Sequence, residues 1–443
     1  MIGTRVRAVE KYLRDWAEPE ISLASALGQT YERTLVVPAC REDVSLLDGY
    51  LAAARTSRGR TLCILVVNGA EGASDEHHAE NAHLFEAVIA KLESVQKLEG
   101  LPRAVLGTLE RSVLDVLVLD RASEGARLPR KEGVGLARKI GCDLALALYV
   151  RESVRSPFVF STDADATLPD AFFDQPALEA RADVAAAVFP FWHTASRDAD
   201  ITRATSFYEV SLRYYVEGLA WAGSPYAFHT LGSAIAIRAE SYAAVRGMPK
   251  REAGEDFYLL NKLAKIGAIV RVPAAAIRLA SRASDRTPFG TGRSVREAIA
   301  SADFKLYSPT CFVVLRDLLA RLEAFSEHAD VERLFSEFSE IEELESALLE
   351  QWDARSALEG ARREAKTTEM RRSRVHTWLD AFRTLKVIHA VRDGGSPALP
   401  WREAIAAAPF LDRTELLDAD AAFVDLRTRM ASAEAARSAR SRY

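Results

Sequence analysis

The sequence predicts an α/β domain with a mostly parallel sheet, followed by an all-helical C-terminal region, on three observations. Near-continuous apolar runs such as Thr61-Leu62-Cys63-Ile64-Leu65-Val66-Val67 lack polar alternation, as strands covered on both faces of a parallel sheet require. Those runs take turns with segments of helical period, the order that builds βα units. From about Arg296 onward the strand signals stop and helical spacing takes over.

The elements follow in order. Residues 1–32 form a helical extension, with Val9, Leu13 and Trp16 at helical spacing. A domain over 33–295 opens with the strand from Arg33, stopped by Pro38, and a helix over Val44–Ala54. The second strand, Thr61–Gly69, leads to a helix over Asn81–Leu98, and a third strand covers Val113–Asp120. A helix with Val134, Ala137, Ile140, Leu144 and Leu148 on one face precedes the strand Phe158–Phe160. Val184–Phe189 is a fifth strand, and Ser206–Trp221 a helix crowded with aromatics. In the helical region, 296–443, Leu334 to Trp352, Val375 to Val391 and Leu411 to Met430 each read as one helix, with a break at Gly394-Gly395-Ser396-Pro397.

Composition excludes several function classes. A chain of 443 residues has room for two or three domains, and 49% hydrophobic with 27% charged residues is ordinary for a soluble globular protein. A net charge of -5 supplies no field for nucleic acid or an anionic membrane. Cys40, Cys63, Cys142 and Cys311 are widely spaced, without the Cys-x-x-Cys of zinc or redox sites, so they read as reduced thiols. Met1–Glu20 lacks the apolar core of a signal peptide and no stretch approaches the ~20 apolar residues of a spanning helix. The expected compartment is the cytoplasm, with no transmembrane segment.

The clearest chemical handle is Ser161-Thr162-Asp163-Ala164-Asp165-Ala166-Thr167-Leu168-Pro169, an acidic turn at the end of a buried strand. Alternating geometry at a strand end turns Asp163 and Asp165 to one side, where they can hold a hard divalent cation that grips a diphosphate. The spacing itself is cheap: Asp198/Asp200 and Asp418/Asp420 repeat it, the first in a polar loop, the second in a helical segment. Only Asp163/Asp165 follows a strand.

Four features stand in order around this turn: Val36-Val37-Pro38-Ala39-Cys40-Arg41-Glu42, Gly133-Val134-Gly135-Leu136-Ala137-Arg138-Lys139-Ile140-Gly141, the turn itself, and Gly254-Glu255-Asp256-Phe257. As a set, over residues 33–280, they resemble the family-2 glycosyltransferases of GT-A fold, a Rossmann-like architecture. The resemblance implies a metal-dependent transfer of a sugar from a UDP- or GDP-sugar to an acceptor hydroxyl. It implies Asp165 as direct ligand of Mg2+ or Mn2+ with Asp163 beside it, Asp256 as catalytic base with Glu255 adjacent, and Pro38, Glu42, Asn68 and Arg138 on the donor. Arg282 and Arg286 flank a Gly290/Gly292 loop suited to clamping phosphates, and His229 is a candidate third metal ligand. Many family members carry aspartate where Asn68 stands; an amide still reads uracil but leaves the base open. No Gln-x-x-Arg-Trp motif occurs, which fits single, non-processive transfers, and the reading is an inverting hexosyltransferase.

Blander readings stand beside these. Glu255-Asp256 ahead of Phe257–Ala264 is also a helix N-cap pair, and Arg138 and Lys139 also fit a solvated basic face. Trp192, His193, Trp221, Tyr226 and Phe228 can stack on an acceptor sugar or simply fill a core. Asp163-Ala164-Asp165-Ala166-Thr167 also fits the nucleophile turn of a haloacid-dehalogenase-type phosphatase, though on about the fourth strand and with Ala166 in place of that family's glycine. A catalytically silent GT-A scaffold that binds a partner through its helical region is the non-enzymatic alternative, and the acidic amphipathic helices of that region also suit pairing of two copies.

Overall fold

A computed structural model describes residues 2–99, 103–273, 275–282, 295–297, 299, 304–338, 350–411 and 423–440. They fall into two units: Met1–Thr205 with Thr230–Arg296, and Ser206–His229 with Glu297–Ser441. The first is α/β and the second helical.

In chain order the first unit contains helix α1 (Ile2–Asp15), β1 (Arg33–Ala39), α2 (Leu46–Arg55), β2 (Thr61–Asn68), α3 (Asp75–Lys91), β3 (Glu93–Leu98), β4 (Ala104–Glu110) and β5 (Leu114–Arg121). Then come α4 (Gly133–Val150), β6 (Phe158–Ser161), β7 (Ala166–Thr167), α5 (Pro176–Glu179), β8 (Val184–Val188) and β9 (Phe191–His193). Helix α6 (Ala199–Ala222) passes into the second unit at Ser206, and β10 (Ile235–Arg238), α7 (Ala239–Ala244), α8 (Glu255–Leu263), β11 (Ala268–Arg271) and β12 (Ile277–Leu279) complete the first.

Nine strands form a mixed sheet in the order β11-β8-β10-β6-β1-β2-β5-β4-β3. Its centre, β6-β1-β2-β5, is parallel throughout. Every residue of β1 and β2 is buried, the outcome their unbroken apolar runs require. Pro38 does not stop β1 as expected; the strand runs on to Ala39, opposite Val67. The register explains how a proline fits a central strand: pairing with β6 ends at Val36, so Pro38 faces β2 alone and its missing N–H breaks no ladder on the other side.

One expectation fails at the sheet edge. The helix expected through Leu98 ends at Lys91, and Glu93–Leu98 is instead an edge strand hairpinned to β4, which the sequence reading did not anticipate. Residues 93–97 are exposed, so their charged side chains satisfy an edge strand as well as a helix.

Helix α4 lies against the sheet through its glycines. A Cβ on Gly141 would come within 2.4 Å of Val36 Cγ1, and one on Gly135 within 2.6 Å of the Pro249 and Arg251 backbone. Lys139 and Asp143, on α4, are buried and tie it to its neighbours: Asp143 accepts from Tyr12 and Tyr242 hydroxyls at 2.5 and 2.7 Å, and Lys139 donates to the Trp16 carbonyl at 2.8 Å. The solvated basic face is therefore overturned.

The second unit buries Tyr214, Phe312, Leu315, Leu322, Leu358, Ile388 and Leu426 in one core. Val375–Val391 is two helices, Thr368–Trp378 and Ala381–Asp393, because Asp380 turns its carboxylate onto the Phe382 and Arg383 N–H groups and caps a new start. Of Leu334–Trp352, residues 331–338 are helical and 339–349 lie outside the described residues. Residues 412–422 also lie outside, and helix resumes at Phe423. No helix among the described residues is long and apolar enough to cross a membrane.

Candidate active site

Because β6, β1, β2 and β5 are parallel, their carboxyl ends share one edge, where loops of an open α/β sheet gather ligands. The acidic turn emerges there from β6. Thr162 fixes it twice, through N–H to the Val36 carbonyl (3.1 Å) and hydroxyl to the Ser233 carbonyl (2.8 Å). The Ala166 N–H returns to the Asp163 carbonyl (3.1 Å), so the two aspartates occupy a closed turn. The competing copies are accounted for differently: Asp198 accepts from the Asp200 and Ile201 N–H groups and caps α6, and Asp418/Asp420 lies outside the described residues.

Asp163 and Asp165 take different arginines. Asp163 accepts from Arg138 Nη2 at 2.6 Å, with its side chain 42% exposed. Asp165 Oδ2 lies 2.9 Å from Arg282 Nη2, and the same guanidinium forks onto both Glu42 oxygens at 2.7 and 3.1 Å. Burial pushes the Asp165 carboxyl up to about 6, with Arg282 opposing that rise and Asp163 and Glu42 adding to it.

Arg138 sits at the centre of the site rather than at its surface. Its side chain is 2% exposed. Nε donates to Glu255 (3.1 Å), Nη1 to Ser161 Oγ (2.7 Å) and the Gly232 carbonyl (2.9 Å), and Nη2 to Asp163. A Cβ on Gly232 would stand 2.6 Å from Nη2, so only glycine leaves the guanidinium its seat. Each nitrogen of the Arg138 guanidinium is thus bonded to protein.

Gly232 connects both halves of the site, since its N–H donates to Asp256 Oδ2 at 2.7 Å. Asp256 is not an N-cap. Gly254 holds that position at φ +73°, and Asp256 lies in the first turn of α8 with Oδ1 on the Phe257 N–H (2.7 Å). Burial, then the neighbouring Glu255, push the Asp256 carboxyl up to about 7, against the pull of Arg138. An acid–base group with that affinity for protons exchanges them near neutral pH. Glu255, Asp256, Arg138, Asp163 and Gly232 thus form one bonded network, although 93 residues separate Asp163 from Asp256.

The other candidates divide. Asn68 ends β2 and is buried; its Oδ1 has no partner among the described residues, while its carbonyl accepts from Asn81 Nδ2 at 3.2 Å. Arg286 lies outside the described residues. His229 belongs to the helical unit, where Nε2 bonds Glu434 at 2.7 Å. Among the described residues no set of three His, Cys, Asp or Glu residues makes a metal site, around His229 or elsewhere. Trp221 and Tyr226 also lie in that unit, Tyr226 donating to the His376 carbonyl at 2.6 Å and Trp221 against Phe410, whereas Trp192 and His193 lie on β9 of the first. Ser161 was missed; as the last strand residue before the turn, its hydroxyl was the one signal.

No protein-family model matches the chain, and no curated protein matches it. Among solved structures it is similar to the mannosyltransferase PcManGT from Pyrobaculum calidifontis in complex with GDP-Man and Mn2+, at 17% identity and a TM-score of 0.32, covering 87% of this chain and 94% of that one. A likeness of that size leaves both fold and activity to be argued from the residues.

Proposed function

We propose that the chain is an inverting, non-processive glycosyltransferase of GT-A type that takes a sugar from a nucleoside-diphosphate donor. The observation that carries this reading is the network from Asp163 through Arg138 and Gly232 to Asp256, which couples an acidic turn to a carboxylate of base-like proton affinity. Asp256 takes the proton of an acceptor hydroxyl as its oxygen bonds the anomeric carbon. The bond from that carbon to the diphosphate breaks, and the electron pair leaves with the nucleoside diphosphate.

The donor set fits Mg2+ or Mn2+ held jointly with substrate. Asp165 and Asp163 offer hard oxygens, too few alone for a protein-built cage and the right number for a cation sharing phosphate oxygens and water. Such an ion neutralises charge on the leaving group. Thermal-shift and donor-hydrolysis measurements across UDP- and GDP-sugars, with and without Mn2+, test the reading. Metal-dependent turnover of one donor, with an inverted anomer by NMR, is expected; a protein inert to all of them, or one forming a fluoroberyllate adduct on Asp163, overturns it.

The proton affinity of Asp256 also sets a pH profile. Its base form exists above about 7, so kcat/KM should fall as pH drops through that value and level off above it. A profile flat from pH 5 to 8 would remove Asp256 from the base role.

A further inference from the structure

We infer that Arg282 is a resident cation on the acidic turn that makes metal and diphosphate binding mutually dependent. The inference rests on the donor and metal reading above and adds a residue that couples the two ligands.

The backbone places Arg282 there. Strand β12 pairs with β7, Leu279 opposite Ala166, and the Ala280 N–H bonds the Asp165 carbonyl at 3.3 Å. Arg282 follows two residues on, with Nη2 shared between Asp165 Oδ2 (2.9 Å) and Glu42 Oε1 (2.7 Å) and Nη1 on Glu42 Oε2 (3.1 Å). Glu42 and Asp165 side chains are 12% and 19% exposed, so the guanidinium balances two poorly hydrated carboxylates that would otherwise repel. The Arg282 side chain itself is 35% exposed. Arg138, by contrast, is 2% exposed and bonded through each nitrogen.

A divalent cation at Asp165 and the Arg282 guanidinium compete for the same carboxylate. Metal at Asp165 sets a second positive charge beside Arg282 and weakens that pair, leaving Glu42 as the fork's firmer partner. When a diphosphate arrives with the metal, the loosened fork meets phosphate oxygens, which guanidinium binds bidentately. Each ligand then removes the other's cost, and by linkage the coupling is reciprocal, typically about 5–150-fold.

The test compares wild type with Arg282→Gln. Bound Mn2+ is measured without nucleotide by electron paramagnetic resonance, and UDP and GDP affinities are measured by calorimetry at zero and saturating Mn2+. Wild type should bind Mn2+ weakly alone, with a metal effect on nucleotide affinity of at least about fivefold. Arg282→Gln should bind Mn2+ more tightly than wild type without nucleotide, and its metal–nucleotide coupling should fall below that of wild type, to the part that phosphate oxygens shared with the metal supply alone. Arg282→Lys, which keeps the charge and loses the fork, should fall between; circular dichroism matching wild type establishes that each variant is folded. Unchanged nucleotide-free Mn2+ affinity together with unchanged coupling in both variants overturns the inference while leaving the glycosyltransferase reading intact. Wild type that binds no Mn2+ with either nucleotide overturns both.

Discussion

Replacing Asp256 by Asn should lower turnover about 10²–10⁴-fold, the range a positioned general base contributes, while leaving nucleoside-diphosphate binding in place. The substitution keeps size and one accepting oxygen, so α8 retains its first turn and the Gly232 or Phe257 N–H retains a partner. What it removes is the ability to accept a proton. Donor affinity should change little for an electrostatic reason: with its carboxyl pushed up to about 7, Asp256 is already partly neutral at neutral pH, and the amide deletes only part of a charge. Calorimetry with UDP and GDP in Mn2+ separates this outcome from collapse of the site. Retained turnover in the variant would mean that the acceptor proton leaves by another route.

Much of the scaffold was legible because burial on both faces writes itself into the sequence as uninterrupted apolar runs. Thr61–Asn68 and Phe158–Ser161 are strands for the same reason they look like strands: no solvent-facing position asks for a polar side chain. That signal disappears at the edge, where Glu93–Leu98 exposes nearly all its residues and carries charges that a helix would also tolerate. Asp380 was readable as a helix start, yet the apolar period continues across it and masked the break.

The site divides along a different line. Local chemistry pointed to the acidic turn, where carboxylates directly follow a strand, whereas Glu255-Asp256 entered only through the family resemblance, because alone the pair reads as a helix N-cap. Partnerships across long sequence separations left no local trace: Arg282 and Glu42 lie 240 residues apart and meet only because β12 joins β7 beside Asp165. The burial of Arg138 left no trace for the opposite reason. A cation on a helix ordinarily faces water, and its burial here depends on Gly135 and Gly141 drawing α4 close to the Arg251 backbone and to β1, and on Gly232 leaving space opposite.

That burial makes Arg138 a position where substitution should cost stability. Arg138→Met removes the cation from between Glu255 and Asp163, and deleting one partner of a buried ion pair typically costs about 3–5 kcal/mol because the other charge stays desolvated. The two carboxylates differ in how much they matter. Asp163, 42% exposed, is screened by solvent when abandoned, whereas Glu255, at 5%, is not, so the lower end, about 3 kcal/mol, applies. Urea unfolding of Arg138→Met against wild type measures the loss. The double variant Arg138→Met/Glu255→Leu should regain part of it, because an apolar pair leaves no stranded charge. Activity should stay absent in the double variant even where stability returns, since Arg138 is bonded to Gly232, which positions Asp256, and to Asp163 of the acidic turn. Equal stability of Arg138→Met and wild type would show that the guanidinium is not what holds these carboxylates together.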